Sequence, residues 1–292
     1  MTFPILNNLQ PDYPLKSETT FNIGGPARFF VEVRQPAEMQ EILIHCHANQ
    51  LPFFILGKGS NVLFDDRGFN GVVIGNRIDF ISQPSESSWH VGAGCSFSLL
   101  GSRTARQGWS GLEFASGIPG SVGGAIFMNA GANGHETCET LQSVDFIHAD
   151  GKFEQLARSG LEFNYRFSSF QMLPGAIIGA VFQLHPSQTA RKDQLDLIQY
   201  RKNTQPYGDK SAGCVFRNPV HRSAGALIDQ AGLKGKKIGG AQVSNLHANF
   251  VVNTGNASSE DIRDLLEFVQ RTIKNEMGID LENEIRYIPF QE

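Results

Sequence analysis

"GIPGSVGGAIFMNAGA", residues 117–132, carries five of the chain's 31 glycines, and "LGKGSNVLF", residues 56–64, places two more around a lysine. Glycine has no Cβ, so backbone N–H groups in such loops can close on phosphate oxygens that a side chain would hold off. Neither loop has the GxGxxG order of a dinucleotide-binding unit, and neither has the GxxxxGK[ST] order of a P-loop. Taken alone, each reads as a structural turn. Taken together, with Ser60, Asn61, Ser116 and Ser121 adding hydroxyl and amide groups, they point to a pyrophosphate held between two loops.

The surroundings restrict what kind of protein carries these loops. At 292 residues, 40% hydrophobic and 18% charged, the chain is long enough for a full core and has the balance of an ordinary globular protein. Twenty-two Phe against two Trp indicate well-filled cores. A formal charge of −4 supplies no basic field for a nucleic-acid backbone, so no nucleic-acid partner is expected. Cys46, Cys95, Cys138 and Cys214 are scattered, without a CxxC pair or zinc spacing, and read as free thiols in a reducing cytoplasm, with no metal. His45 and His47 lie two apart on a helical stretch and point to different faces, which suits a solvated surface better than a metal site. The N-terminal "MTFPILNNLQPDYPLK" lacks the charged and apolar regions of a signal peptide, and no run of eighteen apolar residues occurs; a cytoplasmic, non-membrane monomer is the expectation.

Working outward from the first loop, "ARFFVEV" (27–33) reads as a strand, "PAEMQEILIHCHAN" as a helix entered through Pro36, and "FFIL" as a second strand. From about residue 78 to 184 short β runs alternate with glycines: "SWHVGAG", "GGAIFMNAGA", "SVDFIHADGKFEQL" and "AIIGAVFQL". Asp150-Gly151 marks a hairpin, and one helix, capped by Ser96, interrupts the runs. Beyond residue 186 "RKDQLDLIQYRKN" reads as helical. A long amphipathic helix then starts at Ser258 or Ser259 and closes at Gly278, and "LENEIRYIPF" reads as a strand. The expected class is α+β, in three segments: 1–77, 78–185 and an α+β segment from 186 to 292.

The ordered stretches "TTFNIGGPARFF", "LGKGSNVLF", "GIPGSVGGAIFMNAGA", "NYRFSSF", "SAGCVFRNP", "AGLKGKKIGGAQVSNLHANFVVN" and "LENEIRYIP" resemble the UDP-N-acetylenolpyruvoylglucosamine reductase family from about Ser17 to Pro289. The resemblance implies a flavoenzyme of peptidoglycan precursor synthesis that uses NADPH to reduce the enolpyruvyl ether of UDP-GlcNAc to UDP-N-acetylmuramate. It also implies the two-subdomain FAD-binding fold of the vanillyl-alcohol oxidase type, with non-covalent FAD and a third domain over the substrate. The absence of a long insert after "NYRFSSF" is similar to the shorter subclass. On this resemblance the cofactor contacts are Gly57, Lys58, Gly59, Ser60, Asn61, Val62 and Leu63 from the first loop. The second supplies Ser116, Gly117, Pro119, Gly120, Ser121, Gly124, Ala125, Asn129, Gly131 and Ala132.

Reducing an enol ether next to a carboxylate needs a hydride at one alkene carbon, a proton at the other, and a group to hold the charge that accumulates between. The resemblance gives Arg166 the carboxylate, which a planar guanidinium suits, Glu284 a place near the enolpyruvyl group, and Cys214 the proton-donor position that a serine more often fills. Glu282 is the nearest decoy for Glu284. A thiol is far more acidic than a serine hydroxyl and remains mostly protonated at neutral pH, so cysteine is a competent acid there. Without the resemblance, Arg166 reads as a surface arginine at a strand end and Cys214 as a small buried gap-filler. Tyr165, Arg217, Asn218 and His247 are the expected substrate contacts, with Arg201 and Lys202 for the diphosphate. Thr204 stands where a lysine is usual before "QP", and Lys202 or Lys210 is the candidate to compensate. Two competing readings, an oxidase of a small alcohol on the same fold and a nucleotide-binding regulatory module without turnover, are separated by substrate-dependent NADPH oxidation and by flavin colour.

Overall fold

The computed structural model describes residues 3–292. The chain folds as two compact units. The first comprises residues 3–11, Phe29–Lys58 and Gly71–Arg201; the second comprises Asp12–Arg28, Gly59–Asn70 and Lys202–Glu292. Residues 12–28 and 59–70 thus group with the C-terminal part, and residues 186–201 with the first unit.

In the first unit, strands Ile81–Ser82, Ser88–Gly92, Leu141–His148, Phe153–Ala157 and Gly175–Gln183 form an antiparallel sheet. Its spatial order is Phe153–Ala157, Leu141–His148, Gly175–Gln183, Ser88–Gly92, Ile81–Ser82. Its two faces feed two cores, and strand alternation decides which residue goes where. Phe146 joins Trp89, Phe97, Phe114 and Phe182 in one core, while its neighbour Ile147 joins Val31, Met39, Ile42, Val72 and Ile178 in the other. Each fully buried Phe or Ile contributes about 1.5–3 kcal/mol. The second core lies between this sheet and helix α1 (Pro36–Ala48), whose buried Met39, Ile42, Leu43 and Cys46 follow the i, i+3, i+4, i+7 spacing of one helical face. Pro36 occupies the first turn, and Gln35 and Glu38 close a capping box that sequence reading did not register. Strand Phe53–Leu56 follows and pairs in parallel with Phe69–Asn76, from Phe53 opposite Val72 to Leu56 opposite Gly75.

Helix α2 (Phe97–Arg106) is capped by Ser96, whose Oγ accepts from Leu99 N, as expected. The stretch read as a β run, "GGAIFMNAGA", is corrected: Val122–Phe127 is a short helix, α3, and only Gly131–Ala132 is extended. Ser121 caps it by accepting from Gly124 N, and Val122, Ala125 and Ile126 turn inward together, which a period of two cannot do. The Asp150-Gly151 turn joins Leu141–His148 to Phe153–Ala157, with Gly151 at φ +89°. Helix α4 (Ala190–Thr204) ends the unit.

In the second unit, α5 (Ala224–Gln230) and α6 (Ser259–Met277) pack on a core of Phe21, Leu63, Val215, Phe216, Leu265 and Ile273. Strands Lys237–Ile238, Ala241–Val243 and Val251–Asn253 form its antiparallel sheet. Ser258 and Asp261 make the capping box of α6, and Gly278 ends it at φ +69° in the left-handed conformation. Val62–Phe64 pairs in parallel with Arg286–Ile288, so the first glycine loop runs directly into a strand whose partner lies at the far end of the chain.

Candidate functional site

In the first unit the two glycine loops meet. A Cβ built on Gly57 would lie 2.4 Å from Ser121 Oγ, so glycine at 57 is required by the approach itself. Arg77 Nη1 donates to the Gly57 carbonyl at 2.7 Å, and Ser98 Oγ accepts from Gly117 N at 2.7 Å, so each loop is tied back to the unit that carries it. Gly117 and Gly120 take φ of +84° and +149°, which turns the second loop back on itself. Gly123 N donates to Ala93 O at 2.8 Å and Val122 N to Cys95 O at 2.9 Å, and Ser116 is fully buried beneath. A narrow, Cβ-free approach walled by backbone is what a pyrophosphate-bearing cofactor needs, and this cradle fits one.

The second loop also sets Arg166. Phe163–Asn164 and Phe167–Ser168 pair as a two-residue hairpin with Tyr165 and Arg166 at its tip. Arg166 has φ +58°, a left-handed conformation for a bulky side chain, and its guanidinium sits 4.9 Å from the Tyr165 ring centroid. Strain of this kind costs about 1 kcal/mol and persists where the surroundings impose it. They do so here: Gln171 Nε2 donates to Arg166 O at 3.1 Å and to Phe127 O at 2.9 Å, and Ser168 Oγ donates to the same Phe127 carbonyl. Asn129, fully buried, donates to Asn164 O at 3.0 Å and to Glu136 at 2.8 Å, and accepts from Cys138 N. Its side chain is thereby committed to joining the glycine loop to the Arg166 hairpin; any cofactor contact it makes is through its backbone. Gly131 and Ala132 follow as a short strand against His135–Glu136.

In the second unit, the end of the first loop, Cys214 and Glu284 lie on neighbouring segments. Asn61 accepts from Arg286 N at 3.0 Å and reaches the Glu284 carbonyl through Nδ2 at 3.4 Å. Glu284 N donates to Val215 O, Arg217 N to Glu282 O, and Phe216 bridges Asn283, so the cysteine stretch runs antiparallel beside "LENEI". On its other side Cys214 bridges Phe250. Asn249, 2% exposed, inserts its amide as a substitute strand: Oδ1 accepts from Phe216 N at 3.0 Å and Nδ2 donates to Phe216 O at 2.8 Å. Sequence reading missed it; a buried Asn in an apolar run was its only signal. Gly213 takes φ +77° with nothing within 4 Å of its Cβ position, so the turn into Cys214 borders open space. Gly59 takes φ +62°, and its Cβ would meet Glu18 O.

The four cysteines separate by environment. Burial pushes the Cys46 thiol up to about 11, and burial with the neighbouring Asp79 pushes Cys95 up to about 12, so both stay protonated and inert. Cys214 is half-buried, and Glu284 beside it is too. Glu282 is exposed and lies 3.6 Å from Arg217 Nη1, which occupies the decoy with an ion pair. Arg217 Nε is buried without a hydrogen-bond partner, as is Arg201 Nε. Asn218 Oδ1 accepts from Ala224 N at 3.0 Å and so caps the entry to α5. His247 Nδ1 accepts from Asn249 N at 3.2 Å, which puts the ring proton on Nε2, and burial lowers its basicity. Of the two expected diphosphate cations, Lys202 is exposed and lines a cavity of about 500 Å³ with Gln205, Tyr207, Gln242, Asn245 and Thr254. Arg201 is 5% exposed, in the first unit, with Nη2 on Phe114 O.

A family model for an FAD binding domain matches residues 27–157, and one for the C-terminal domain of UDP-N-acetylenolpyruvoylglucosamine reductase matches 205–288. The UDP-N-acetylenolpyruvoylglucosamine reductase of Protochlamydia amoebophila is 62% identical over 98% of this chain and 96% of its own. The chain belongs to the UDP-N-acetylenolpyruvoylglucosamine reductase family. The Chlamydia trachomatis serovar A protein of the same name is 49% identical over 99% of both chains. The crystal structure of the reductase from Thermus caldophilus aligns with a TM-score of 0.79 at 36% identity, covering 94% of this chain and 97% of that one. The matched FAD binding domain includes Gly57, Lys58 and the whole second loop, and FAD is the cofactor of this flavoprotein. The matched C-terminal domain includes Cys214, Asn218, His247 and Glu284.

Proposed function

We propose that the chain reduces the enolpyruvyl ether of UDP-GlcNAc-enolpyruvate to UDP-N-acetylmuramate, with NADPH as reductant, in peptidoglycan precursor synthesis. The observation that carries this reading is 62% identity to a reductase of that family along nearly the full chain. Bound FAD would supply the hydride-transfer chemistry that links NADPH to the alkene. Gly57, Lys58 and the second glycine loop would hold its pyrophosphate through backbone N–H groups, with Ser121 Oγ capping α3 and Ser116 fully buried beneath.

The remaining chemistry belongs to side chains. Arg166 neutralises the substrate carboxylate as negative charge accumulates on it, from a backbone held at the hairpin tip by the Gln171 bond to its carbonyl. Cys214 Sγ–H gives its proton to the alkene carbon that does not receive hydride, and solvent later restores it. Glu284, held through its backbone between Asn61 and Val215, stands near the enolpyruvyl group on the segment beside Cys214, whereas Glu282 is occupied by Arg217. Tyr165, Arg217, Asn218 and His247 contact the substrate, and Lys202 takes the diphosphate role that Thr204 leaves open. The three-segment division and a cytoplasmic monomeric working form are part of the same reading; among the described residues, no helix is long and apolar enough to cross a membrane.

The test is direct. The purified protein should be yellow, and loss of NADPH absorbance should require both the protein and UDP-GlcNAc-enolpyruvate. NADPH oxidation indifferent to the enolpyruvyl substrate overturns the reading.

A further inference from the structure

Helix α4 is unusual in what it buries. Its fully buried positions are Ala190, Gln194 and Arg201, and Leu197 packs against the core between them. The spacing i, i+4, i+7, i+11 is one helical stripe, and an apolar stripe is the ordinary way to fasten a helix to a sheet-and-helix core. Here two of the four positions are polar. Gln194 is 1% exposed and Arg201 5%.

Arg201 reaches the turn that leads into the second glycine loop directly, and Gln194 reaches it through Ser102 of α2. Gln194 Nε2 donates to Ser102 Oγ at 3.3 Å, and Ser102 Oγ donates to Ser116 Oγ at 3.4 Å. Arg191 fixes the other end of the amide, donating to Gln194 Oε1 at 2.5 Å. Two turns further on, Arg201 Nη2 donates to the Phe114 carbonyl at 3.3 Å, two residues before Ser116, while its Nε is buried with no hydrogen-bond partner. The turn has no slack on its opposite side. A Cβ on Gly101 of α2 would lie 2.3 Å from Leu112 O and 3.1 Å from Ser116 N, so α2 is already pressed against the backbone that α4 holds.

Stability alone does not favour this arrangement. A buried guanidinium with an unsatisfied donor is destabilising by about 1–3 kcal/mol relative to a satisfied one. An apolar residue of the same volume at such a position is commonly neutral or better. The polar stripe therefore has its use in where it puts the loop.

We propose that Gln194 and Arg201 are positioning residues for FAD: α4 braces the Phe114–Gly117 turn through the Ser102–Ser116 pair and the Phe114 carbonyl, and so sets the backbone of the second glycine loop without touching the cofactor. This rests on the reading of that loop as the FAD cradle. The unsatisfied Arg201 Nε marks the brace as built for position at the expense of local stability.

The test uses full-length protein stripped of flavin and titrated with FAD, followed by quenching of flavin fluorescence and by the visible circular dichroism of the bound flavin. Arg201→Met keeps the packing and removes the donor; it should raise the FAD Kd about tenfold, the equivalent of one lost hydrogen bond to a fixed carbonyl. Arg201→Lys, which can still donate to Phe114 O, should recover most of that loss. Gln194→Leu should weaken binding severalfold and shift the flavin dichroism. If Arg201→Met fails to fold, Gln194→Leu and Ser102→Ala carry the same expectation, with a shared, non-additive effect in the double variant. Wild-type Kd and dichroism in Arg201→Met and Gln194→Leu overturn the proposal, as does a loss that tracks Tm and is not rescued by lysine. A wild-type chain that binds no FAD overturns the cofactor reading instead.

Discussion

Replacing Asn249 with alanine tests whether the cysteine loop is held by a side chain acting as a strand. The amide is 2% exposed and makes both of its hydrogen bonds, 3.0 and 2.8 Å, to the two backbone groups of Phe216. Truncation leaves one N–H and one carbonyl buried beside a fully buried Phe ring, with no space opened at the surface for water. Each unsatisfied group costs about 1–3 kcal/mol, so Asn249→Ala should destabilise the chain by about 2–4 kcal/mol. At roughly 2–4 °C per kcal/mol for a large domain, Tm should fall by about 5–12 °C. Turnover should fall further than stability requires. Cys214 lies two residues from Phe216, and a displacement of about 1 Å at a proton donor can cost about a hundredfold in rate. The assays are denaturant unfolding with Asn256→Ala as an exposed control, and turnover at a temperature where both proteins are folded. A stability change within about 0.5 kcal/mol of the control, or turnover equal to wild type, refutes the claim that Asn249 holds the donor in place.

Cys214→Ser should keep turnover and lose sensitivity to thiol reagents, whereas Cys214→Ala should accept hydride from NADPH normally but be reoxidised slowly by the enolpyruvyl substrate in stopped flow. Gly57→Ala must displace Ser121 Oγ from its cap on Gly124, a loss of about 1 kcal/mol that should weaken FAD binding about fivefold and should shrink when Ser121→Ala is added; unchanged affinity means the loops separate freely. Arg166→Gly should relieve the left-handed strain, raising stability by about 0.5–1 kcal/mol, while turnover falls at least a hundredfold; a destabilised variant would show that the turn is not strained. Arg67 first, and Tyr287 after it, hold the Asp65 carboxyl well below the usual carboxylate range. Because the folded pKa is depressed, the stabilisation is fully present above the unfolded value of about 3.9 and is lost as pH falls below it. The stability gap between wild type and Asp65→Asn, measured in urea, should therefore be large and constant above about pH 5, begin to shrink near pH 4 and go on shrinking as pH is lowered through the depressed folded value.

What could be read in the sequence was what depends on local chemistry. Ser96, Ser258 and Gly278 announce helix ends because a cap is decided by a residue and its own next turn. The second glycine stretch misled as a strand for the same reason: Ser121 three residues before Gly124 is a cap, but five glycines and an apolar run drowned it, and only packing beneath Val122, Ala125 and Ile126 selects the helical period. The cysteine loop was legible as a motif, while the residues that shape it were not. Asn249 and Gln194 look ordinary until the fold buries them against a carbonyl or a hydroxyl more than thirty residues away.

The division into units was hidden for a stronger reason. Residues 59–70 join the second unit because Val62–Phe64 finds Arg286–Ile288, and because Asp65 accepts from Tyr287 and Asp66 from Ser259 N and Oγ at 2.6 and 2.9 Å. Those contacts span roughly two hundred positions, and no periodicity within a window of a dozen residues can register them. A consequence follows for folding: the second unit cannot complete its core, which includes Phe21, Ile23 and Leu63, until the first seventy residues and the last hundred are both available. Its formation must therefore come late in synthesis, and Asp65 and Asp66 are the polar groups that commit the early segment to its distant partner rather than to the strands that adjoin it in sequence.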